Sequence, residues 1–381
     1  MKILVYAHRI GSKTITFIHN EINQLAKDHE VMVLYHYDEK VLALENCSLQ
    51  KIRHYHSRPV SKVLSVADKI LSPLGIKLPS FANEMQKHIK HFNPDVVHIH
   101  FGTIAERVLW CNEITDRPVF ISFHGYDASR ALKQASYLNR LKYLFDQARI
   151  HPIFVSHFMY KNVCQALGVS SISNHHILYY GTDLSFFQRQ SYPNNNPKVF
   201  LQVSSFVEKK GHIYTVDAFK QYIEEYGTEQ PVQLILAGGG QLLEEIQDYV
   251  EEKNLSEHIR FTGWIDKAQA RDLMEQADYF VHHSIVDSNG DMEGIPNAIM
   301  EAMAMELPVL STVHSGIPEL VEDGVNGYLV EEKSISQYAE SIKKILALSH
   351  SKKNRDKVMS GFELIKHKEF LTHYYTKSLK S

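Results

Sequence analysis

The sequence predicts an α/β protein with two domains, each built around a parallel sheet. At 381 residues the chain is longer than one hydrophobic core usually serves. Short β-rich apolar runs alternate with stretches of helical spacing, which is the pattern of βαβ units. After the turn-rich segment 191–198, SYPNNNPK, the series begins again, so this segment is predicted to link two units of similar design.

Five β-rich runs in the first half are short, and most are followed by polar residues or glycine, as expected for buried parallel strands. They are KILVYA (2–7), EVMVLYHY (30–37), DVVHIHF (95–101), PVFISFHG (118–125) and HPIFVS (151–156). The stretches between them carry apolar residues at helical spacing, as in 17–25 and 138–145.

The second half repeats this design with six more apolar runs. They are VFLQVSSF, VQLILAGGG, HIRFTGW, DYFVHHS, PVLST and GYLV. We predict an N-terminal domain over 1–188, a C-terminal domain over 198–360, and a helical segment over 361–381 that packs back on the N-terminal domain. Parallel sheets bind ligands at the carboxyl ends of their strands, so a cleft is expected where the two sets of ends face one another.

The composition excludes several classes of protein. With 44% hydrophobic residues, 22% charged residues and a net charge of -3, the chain gives no general reason to expect nucleic acid as a partner. Cys47, Cys111 and Cys164 are scattered, which argues against a disulfide framework and favours a reducing cytoplasm. No apolar run is long enough for a signal-peptide core or a membrane span, so a cytoplasmic location is expected.

No metal is predicted. The segment 287–293, DSNGDME, begins like a calcium loop, but Met292 stands at the sixth position where glycine is required, and Ala298 at the twelfth where glutamate is required. No D-x-D pair follows a strand, and no histidine or cysteine cluster has zinc spacing.

The segment 291–312, DMEGIPNAIMEAMAMELPVLST, carries the chemistry. Pro296 is a favoured first helical residue, and strong helix formers follow, so a helix is predicted from about 296 to about 306. Free N–H groups at its start, with the positive end of the helix dipole, suit a diphosphate. Glu293 would lie beside that site, while Glu301 lies inside the helix among apolar residues and therefore needs a hydrogen-bonding partner.

This segment resembles the acid-x7-acid motif of glycosyltransferase family 4, whose members are retaining enzymes with the GT-B fold. Further segments similar to the family occur in family order: TITFIHNEINQL (14–25), HIHFG (98–102), SFHGYD (122–127), YYGTDLSFF (179–187) and FVEKKGH (206–212). The resemblance implies that Glu293 contacts the donor sugar and Glu301 the nucleotide ribose. It places the phosphates at the helix start, at Gly294, Ile295, Pro296 and Asn297.

The loop before the helical pattern at 213–223 carries the expected cations. The family usually has an arginine where this chain has Ser205, and a lysine where it has Lys210, and the two clamp the diphosphate. Lys210 matches the family, but Ser205 leaves one point charge where a bidentate clamp is expected. Either Ser205 donates a neutral hydrogen bond, or another cation such as Lys209 reaches the site.

Three further positions follow first-half strands. His124 comes at the carboxyl end of a strand, and the resemblance implies that it contacts the donor sugar near the anomeric carbon. Gly11, after the first strand, is expected to bring backbone close to the phosphate or the acceptor. His98 and His100 share one face of a strand. Two roles stay open for them, which are packing in the core and lining of the cleft.

The sequence therefore predicts a retaining glycosyltransferase that needs no cofactor, with His124, Glu293 and Lys210 as catalytic residues. Its donor would be a nucleotide-diphosphate sugar, and the resemblance to bacterial cell-surface polysaccharide transferases implies a saccharide or lipid-linked saccharide acceptor. Two alternatives stay open at this point. They are a nucleotide-sugar epimerase of the same fold and a non-catalytic sugar-nucleotide-binding protein of a polysaccharide assembly complex.

The segment 51–91 is basic in a chain that is acidic overall. It holds eight lysine and arginine residues against two acids, a net charge of +6. One interpretation is a solvated surface helix. The other is a patch that rests on anionic lipid at the inner face of the cell membrane, where each cation contributes about 1 kcal/mol.

Overall fold

The structure is a computed structural model that describes residues 1–12, 15–52, 81–109, 116–227 and 230–380, with the main chain alone at 81–84 and 106–109. Within this part of the chain the N-terminal domain holds nine strands. They are β1 Lys2–Tyr6, β2 Arg9–Ile10, β3 Glu30–Tyr35, β4 Tyr37–Asp38, β5 Ser48–Lys51, β6 Val96–His100, β7 Val119–Phe123, β8 Ile150–Phe154 and β9 His176–Ile177. Seven of them form one parallel sheet in the order β5-β3-β1-β6-β7-β8-β9, and β2 pairs with β4.

The C-terminal domain holds a second parallel sheet. Its strands are β10 Lys198–Val203, β11 Val232–Ala237, β12 Ile259–Gly263, β13 Tyr279–His282, β14 Val309–Thr312 and β15 Gly327–Val330. Their order is β12-β11-β10-β13-β14-β15. In both sheets the first strand of the domain lies inside the sheet, so the strand order reverses beside it and opens a crevice at the carboxyl ends. The prediction of two parallel-sheet α/β domains is confirmed.

Helices cover both sheets. In the N-terminal domain they are Thr16–Leu25, Phe81–Phe92, Gly102–Leu109, Ala135–Phe145 and His157–Leu167, with 3-10 turns at Tyr126–Ala128 and Arg130–Lys133. In the C-terminal domain they are His212–Tyr226, Leu243–Glu252, Lys267–Gln276, Asn297–Ala304, Ile317–Leu320, Ile335–Ile345 and Lys352–Gly361, with a 3-10 turn at Glu208–Lys210. Across the described residues, no helix combines the length and apolar character needed to cross a membrane.

The central strands are apolar because both of their faces are covered. All five residues of β6 and all five of β7 are buried, which explains why apolar residues dominate both strands, although β6 also buries His98 and His100 and β7 buries Ser122. Local signals set helix ends, as at His157–Leu167, where the Ser156 hydroxyl accepts the Met159 N–H at 3.1 Å and Gly168 takes a left-handed φ of +70°.

The last helix, Leu364–Ser378, belongs to the N-terminal domain although it follows the C-terminal one. The chain returns to the N-terminal domain near Phe362, whose carbonyl accepts the Thr182 N–H at 2.8 Å. The last helix then lies against the helix Thr16–Leu25. Leu371 and Tyr375 are fully buried in the core on that side of the first sheet. The N-terminal domain thus includes the C-terminal end of the chain.

The two domains also contact each other beside the cleft. The Glu319 carboxylate accepts the N–H groups of His157 and Phe158 at 3.0 and 2.9 Å, and the Tyr179 hydroxyl at 2.7 Å. A carboxylate at a helix start satisfies free N–H groups and interacts favourably with the helix dipole. A residue of the second domain therefore caps a helix of the first.

Candidate active site

A cavity of about 680 Å³ lies between the domains at the carboxyl ends of both sheets. Ten residues that the sequence singled out line it: His124, Ser205, Lys209, Lys210, Glu293, Gly294, Ile295, Pro296, Asn297 and Glu301. These side chains come from distant parts of the chain and from both domains. The volume lies within the range of small-molecule and cofactor sites.

Gly11 is not among the residues that line this cavity. Gly11 has a left-handed φ of +72°, and a Cβ there would meet the backbone N of Lys40 at 2.7 Å. The Gly11 N–H donates to Nε2 of His19 at 2.8 Å, and His19 does line the cavity. Gly11 therefore supports a histidine that lines the cavity, and its own approach to a ligand stays a prediction.

The helix Asn297–Ala304 starts at the cavity. Pro296 is its N-cap rather than its first helical residue, and no side chain caps the start. The Ile299 N–H donates to the Pro296 carbonyl at 3.0 Å, which leaves the N–H groups of Asn297 and Ala298 to face a ligand. The Asn297 Oδ1 is buried without a hydrogen-bond partner among the described residues. The helix ends two residues before the predicted position near 306, because Glu306 takes a left-handed φ of +65°.

Glu293 lies between two lysines. Its Oε1 is 3.0 Å from Lys209 Nζ and its Oε2 is 2.9 Å from Lys210 Nζ, while Lys209 also pairs with Asp291 at 2.9 Å. Burial alone would raise the pKa of Glu293, but the charges of Lys210 and Lys209 outweigh it and hold that pKa well below its usual range. The cluster of two cations and two carboxylates is neutral, so an entering diphosphate would compete with Glu293 for the lysines.

Lys209 is the second cation of the cavity. It lines the same cavity as Ser205, the position where an arginine was expected, and its Nζ lies 3.0 Å from Glu293 Oε1. Its loop is held in place by Gly211, where φ is +57° and an added Cβ would collide with the His283 carbonyl. The alternative in which Lys209 stands in for the arginine is thus sterically available.

Glu301 presents its carboxyl group to the cavity from the middle of the helix. Burial raises its pKa to about 7, and the more distant charge of Lys267 opposes this only weakly. Among the described residues no donor lies within hydrogen-bond distance of the carboxyl oxygens. A half-buried acid without a protein partner is the feature expected of a group that binds ligand hydroxyls.

His124 lines the cavity from the N-terminal domain, and both of its ring nitrogens contact other side chains of the protein. Nδ1 lies 2.6 Å from the Tyr180 hydroxyl, and Nε2 lies 3.2 Å from Nδ1 of His100. Burial lowers its pKa well below the usual value, so the ring is neutral. Its backbone N–H donates to the buried Asp127 at 2.8 Å, which fixes the turn. Any contact with a sugar would therefore come from the ring surface, the carbonyl or the adjacent Tyr180.

His98 and His100 pack in the interior and do not line the cavity. Both are fully buried, and their ring nitrogens face one carboxylate oxygen of Glu21 at 3.1 and 3.3 Å. These three ligand atoms lie within 4.8 Å of one another, and their types are ones that bind zinc. The cluster could hold a metal ion directly behind His124, where sequence reasoning predicted none.

Sequence reasoning missed Glu21 and Tyr180. Glu21 lies in the helix Thr16–Leu25 on the face that also buries Ile18 and Ile22. An acid on an apolar helix face is the same signal that drew attention to Glu301, so Glu21 could have been found. Tyr180 gave no such signal, because a tyrosine next to a short strand is ordinary core composition.

Two parallel-sheet domains that enclose a charged cleft at their carboxyl ends define a protein of the GT-B class. Residues 16–186 match the family model for Glycosyltransferase Family 4, and residues 185–359 match the model for group 1 glycosyl transferases. The two matches adjoin and together cover most of the chain. The chain belongs to these glycosyltransferases.

Curated relatives include proteins of bacterial polysaccharide synthesis. The amylovoran biosynthesis glycosyltransferase AmsK of Erwinia amylovora is 24% identical over 362 residues, 87% of each chain. The putative colanic acid biosynthesis glycosyltransferase WcaL of Escherichia coli K12 is 27% identical, over 80% of this chain and 73% of that protein. The WcaL protein of Salmonella typhimurium is 34% identical, but the match spans 45% of this chain and 41% of that protein.

Solved structures share the fold along the whole chain. HepE of Anabaena, crystallised with UDP and glucose, has a TM-score of 0.77 at 18% identity and is covered over 99% of both chains. A glycosyltransferase of Rickettsia africae has a TM-score of 0.74 at 16% identity, over 100% of this chain and 99% of that one. The chain therefore has the predicted GT-B fold.

Proposed function

We propose that this glycosyltransferase moves a sugar from a nucleotide-diphosphate sugar to a hydroxyl group of a saccharide or lipid-linked saccharide, with retention at the anomeric carbon. The arrangement along the cavity carries the proposal. Two carboxylates, Glu301 and Glu293, line it together with the start of the helix Asn297–Ala304, and Glu293 is paired with Lys209 and Lys210. Ribose, diphosphate and sugar each meet a group of matching chemistry.

The diphosphate end supplies the catalytic advantage. Negative charge grows on the leaving diphosphate as the glycosidic bond breaks, and Lys210 with the helix start at Asn297 stabilises that charge where it develops. Because the diphosphate takes over the lysines, Glu293 becomes free to orient the sugar. Retention would follow if the leaving phosphate accepted the proton of the attacking hydroxyl on the same face of the sugar. Closure of the domains over the donor would exclude water.

The binding experiment is a thermal-shift panel of UDP-, GDP- and dTDP-sugars with the purified protein. A ligand at 100 times its dissociation constant adds about 2.7 kcal/mol to the free energy of unfolding, which is readily detected. Glu301→Ala should lose this shift, whereas Glu306→Ala, a substitution of an acid outside the cavity, should keep it. A panel with no stabilising sugar nucleotide would refute the assignment.

The chemical experiment follows the anomeric proton of the bound donor by NMR during hydrolysis or transfer. A product of unchanged anomeric configuration supports retention, and inversion refutes it. Transfer separates this function from the epimerase alternative, which would return an isomerised donor, and turnover of any kind separates it from a non-catalytic binding protein. We expect activity to persist in EDTA because lysines and a helix start supply the positive charge. Loss of activity that manganese or magnesium restores would contradict that expectation.

We further propose that the enzyme works in the cytoplasm, on cell-surface polysaccharide precursors at the inner face of the membrane. The names of the relatives and the net charge of +6 in the segment 51–91 support this. Most of that segment, residues 53–80, lies outside the described residues. The protein should co-sediment with anionic liposomes and dissociate as salt rises. Equal recovery with neutral liposomes would contradict a membrane role.

A further inference from the structure

The loop that ends at Glu293 is held at both of its ends, and we call residues 286–293 the acid loop. At its start the Val286 N–H donates to Oε2 of Glu332 at 2.8 Å. At its end the Glu293 N–H donates to Nε2 of His314 at 3.1 Å, and Nδ1 of His314 lies 2.6 Å from Oε1 of Glu332. The histidine follows β14 and the glutamate follows its neighbour β15. One carboxylate therefore anchors both ends of the acid loop.

The main-chain members of this network fix the direction of its hydrogen bonds. A backbone N–H can only donate, so Nε2 of His314 accepts from Glu293 and carries no proton. The ring proton is then on Nδ1, which donates to Glu332. Burial raises the pKa of Glu332, but the hydrogen bonds from His314 and Val286 outweigh it and hold that pKa below its usual value, so the carboxylate is ionised. Every donor in the network meets an acceptor.

Between its two ends the acid loop is closed on itself. The Asp287 N–H donates to the Asp291 carbonyl at 3.1 Å, and Oδ1 of Asp287 accepts the Asp291 N–H at 2.8 Å. The loop then presents two acids, Asp291 and Glu293, to Lys209 at 2.9 and 3.0 Å. Because its internal bonds restrict the loop, the anchoring of its ends decides where these two carboxylates point.

The anchors lie outside the cavity, so a ligand leaves them in place. Neither His314 nor Glu332 lines the cavity, and His314 is fully buried. In the proposed function the diphosphate takes over Lys209 and Lys210. The Glu293 carboxylate then loses both ion pairs at the stage at which it has to orient the sugar. The main-chain bond from Glu293 to His314 does not involve the lysines and is kept.

We propose that Glu332 and His314 are positioning residues that fix the main chain of Glu293, so that its carboxylate stays directed at the donor sugar once the lysines bind the diphosphate. This inference rests on the proposed function, since it requires a sugar for Glu293 to orient. Glu332→Gln keeps the shape of the anchor but offers one acceptor atom and one donor group. The amide can accept from Val286 or from His314 but not from both, so one end of the acid loop loses its anchor.

Two measurements on the full-length protein test the network without any ligand. Nitrogen-15 NMR of histidine-labelled protein should show His314, assigned as the signal that His314→Phe removes, with its proton on Nδ1. Hydrogen exchange of the acid-loop amides, followed by mass spectrometry, should be roughly tenfold faster in Glu332→Gln than in the matched control Glu331→Gln, at the exposed acid one position earlier. A proton on Nε2 of His314, or equal exchange in the two variants, would overturn the proposal. The tautomer is measured in the wild type and so decides even if Glu332→Gln fails to fold.

Binding of UDP and UDP-glucose, with GDP and GDP-mannose as a second pair, tests the effect on the sugar. Glu332→Gln should weaken the sugar nucleotide roughly tenfold and leave the matching nucleoside diphosphate unchanged. His314→Gln, whose amide oxygen can accept from the Glu293 N–H, should keep more sugar-nucleotide affinity than His314→Phe, which has a ring but no acceptor. Equal losses for both ligands, or equal affinities in the two His314 variants, would overturn the positioning role. If the wild type binds none of the four ligands, the proposed function fails, while the tautomer and the exchange rates still decide whether Glu332 holds the Glu293 main chain.

Discussion

Replacing Glu301 by glutamine should stabilise the free protein while it weakens nucleotide binding. The carboxyl group lines the cavity, is largely buried and has a pKa raised from 4.5 to about 7 by that burial. Glutamine has the same shape but no charge to desolvate. The substitution therefore removes the desolvation cost of the Glu301 carboxylate, which lowers the stability of the free protein but is needed for ligand binding.

The pH dependence of this effect follows from the raised pKa. Between pH 4.5 and about 7 the folded protein holds a proton on Glu301 that the unfolded chain has released, so the free energy of unfolding falls as pH rises. Each pKa unit corresponds to about 1.4 kcal/mol, which gives a stabilisation by Glu301→Gln of about 3 kcal/mol above pH 7. Below pH 4.5 both states are protonated and the difference should vanish.

Urea denaturation of wild type and Glu301→Gln from pH 4.5 to 8.5 measures the stability difference directly. Titration of the stabilising nucleotide should show a loss of about 1–3 kcal/mol in the variant, the cost of an unmade hydrogen bond to a buried group. Ribose hydroxyls favour the ionised carboxylate, so wild-type binding near pH 7 should release about half a proton, which calorimetry in buffers of different ionisation enthalpy detects. A stability difference independent of pH, or unchanged nucleotide affinity, would refute the reasoning.

Three other substitutions test the site and its frame. Lys210→Met should weaken a nucleoside diphosphate by about 1.5–3 kcal/mol but the nucleoside far less, and calorimetry with the two ligands checks this. Ser205→Arg should tighten diphosphate binding if Lys209 leaves room for a bidentate clamp, and weaker binding would show that Lys209 already fills that place. Glu319→Ala should lower the free energy of unfolding by about 1–2 kcal/mol, because two helix N–H groups lose their acceptor. Unchanged urea denaturation would show that the contact between the domains is not stabilising.

The order of strands could be predicted because buried parallel strands are apolar on both faces. A strand was found in every predicted apolar run, with ends that differ from the prediction by up to three residues, as at Lys2–Tyr6, Val96–His100 and Val232–Ala237. Ser48–Lys51 and His176–Ile177 were missed, since they are edge strands with little buried surface and carry no apolar run. Sheet edges are decided by pairing with a neighbour rather than by composition.

The acid pair at 293 and 301 was also visible in the sequence. Its spacing around a helix start implied two carboxylates at one cavity, and both line it. The bond pattern around each acid was not visible, because Glu293 takes both lysines while Glu301 takes no protein partner. Sequence spacing does not say which distant cation reaches a carboxylate.

The sequence by itself determined the fold class through its pattern of apolar runs, and the family through its motifs, and it named many of the residues that line the cavity. Only the tertiary structure decided the protonation and pairing of those groups. His367 reaches Glu21 across 346 positions of the chain, and His100 reaches His124 across 24. Contacts between residues so far apart depend on how the sheets and the last helix pack. Burial in the folded protein moves the pKa of Glu301 to about 7, and the residue type alone does not predict that shift.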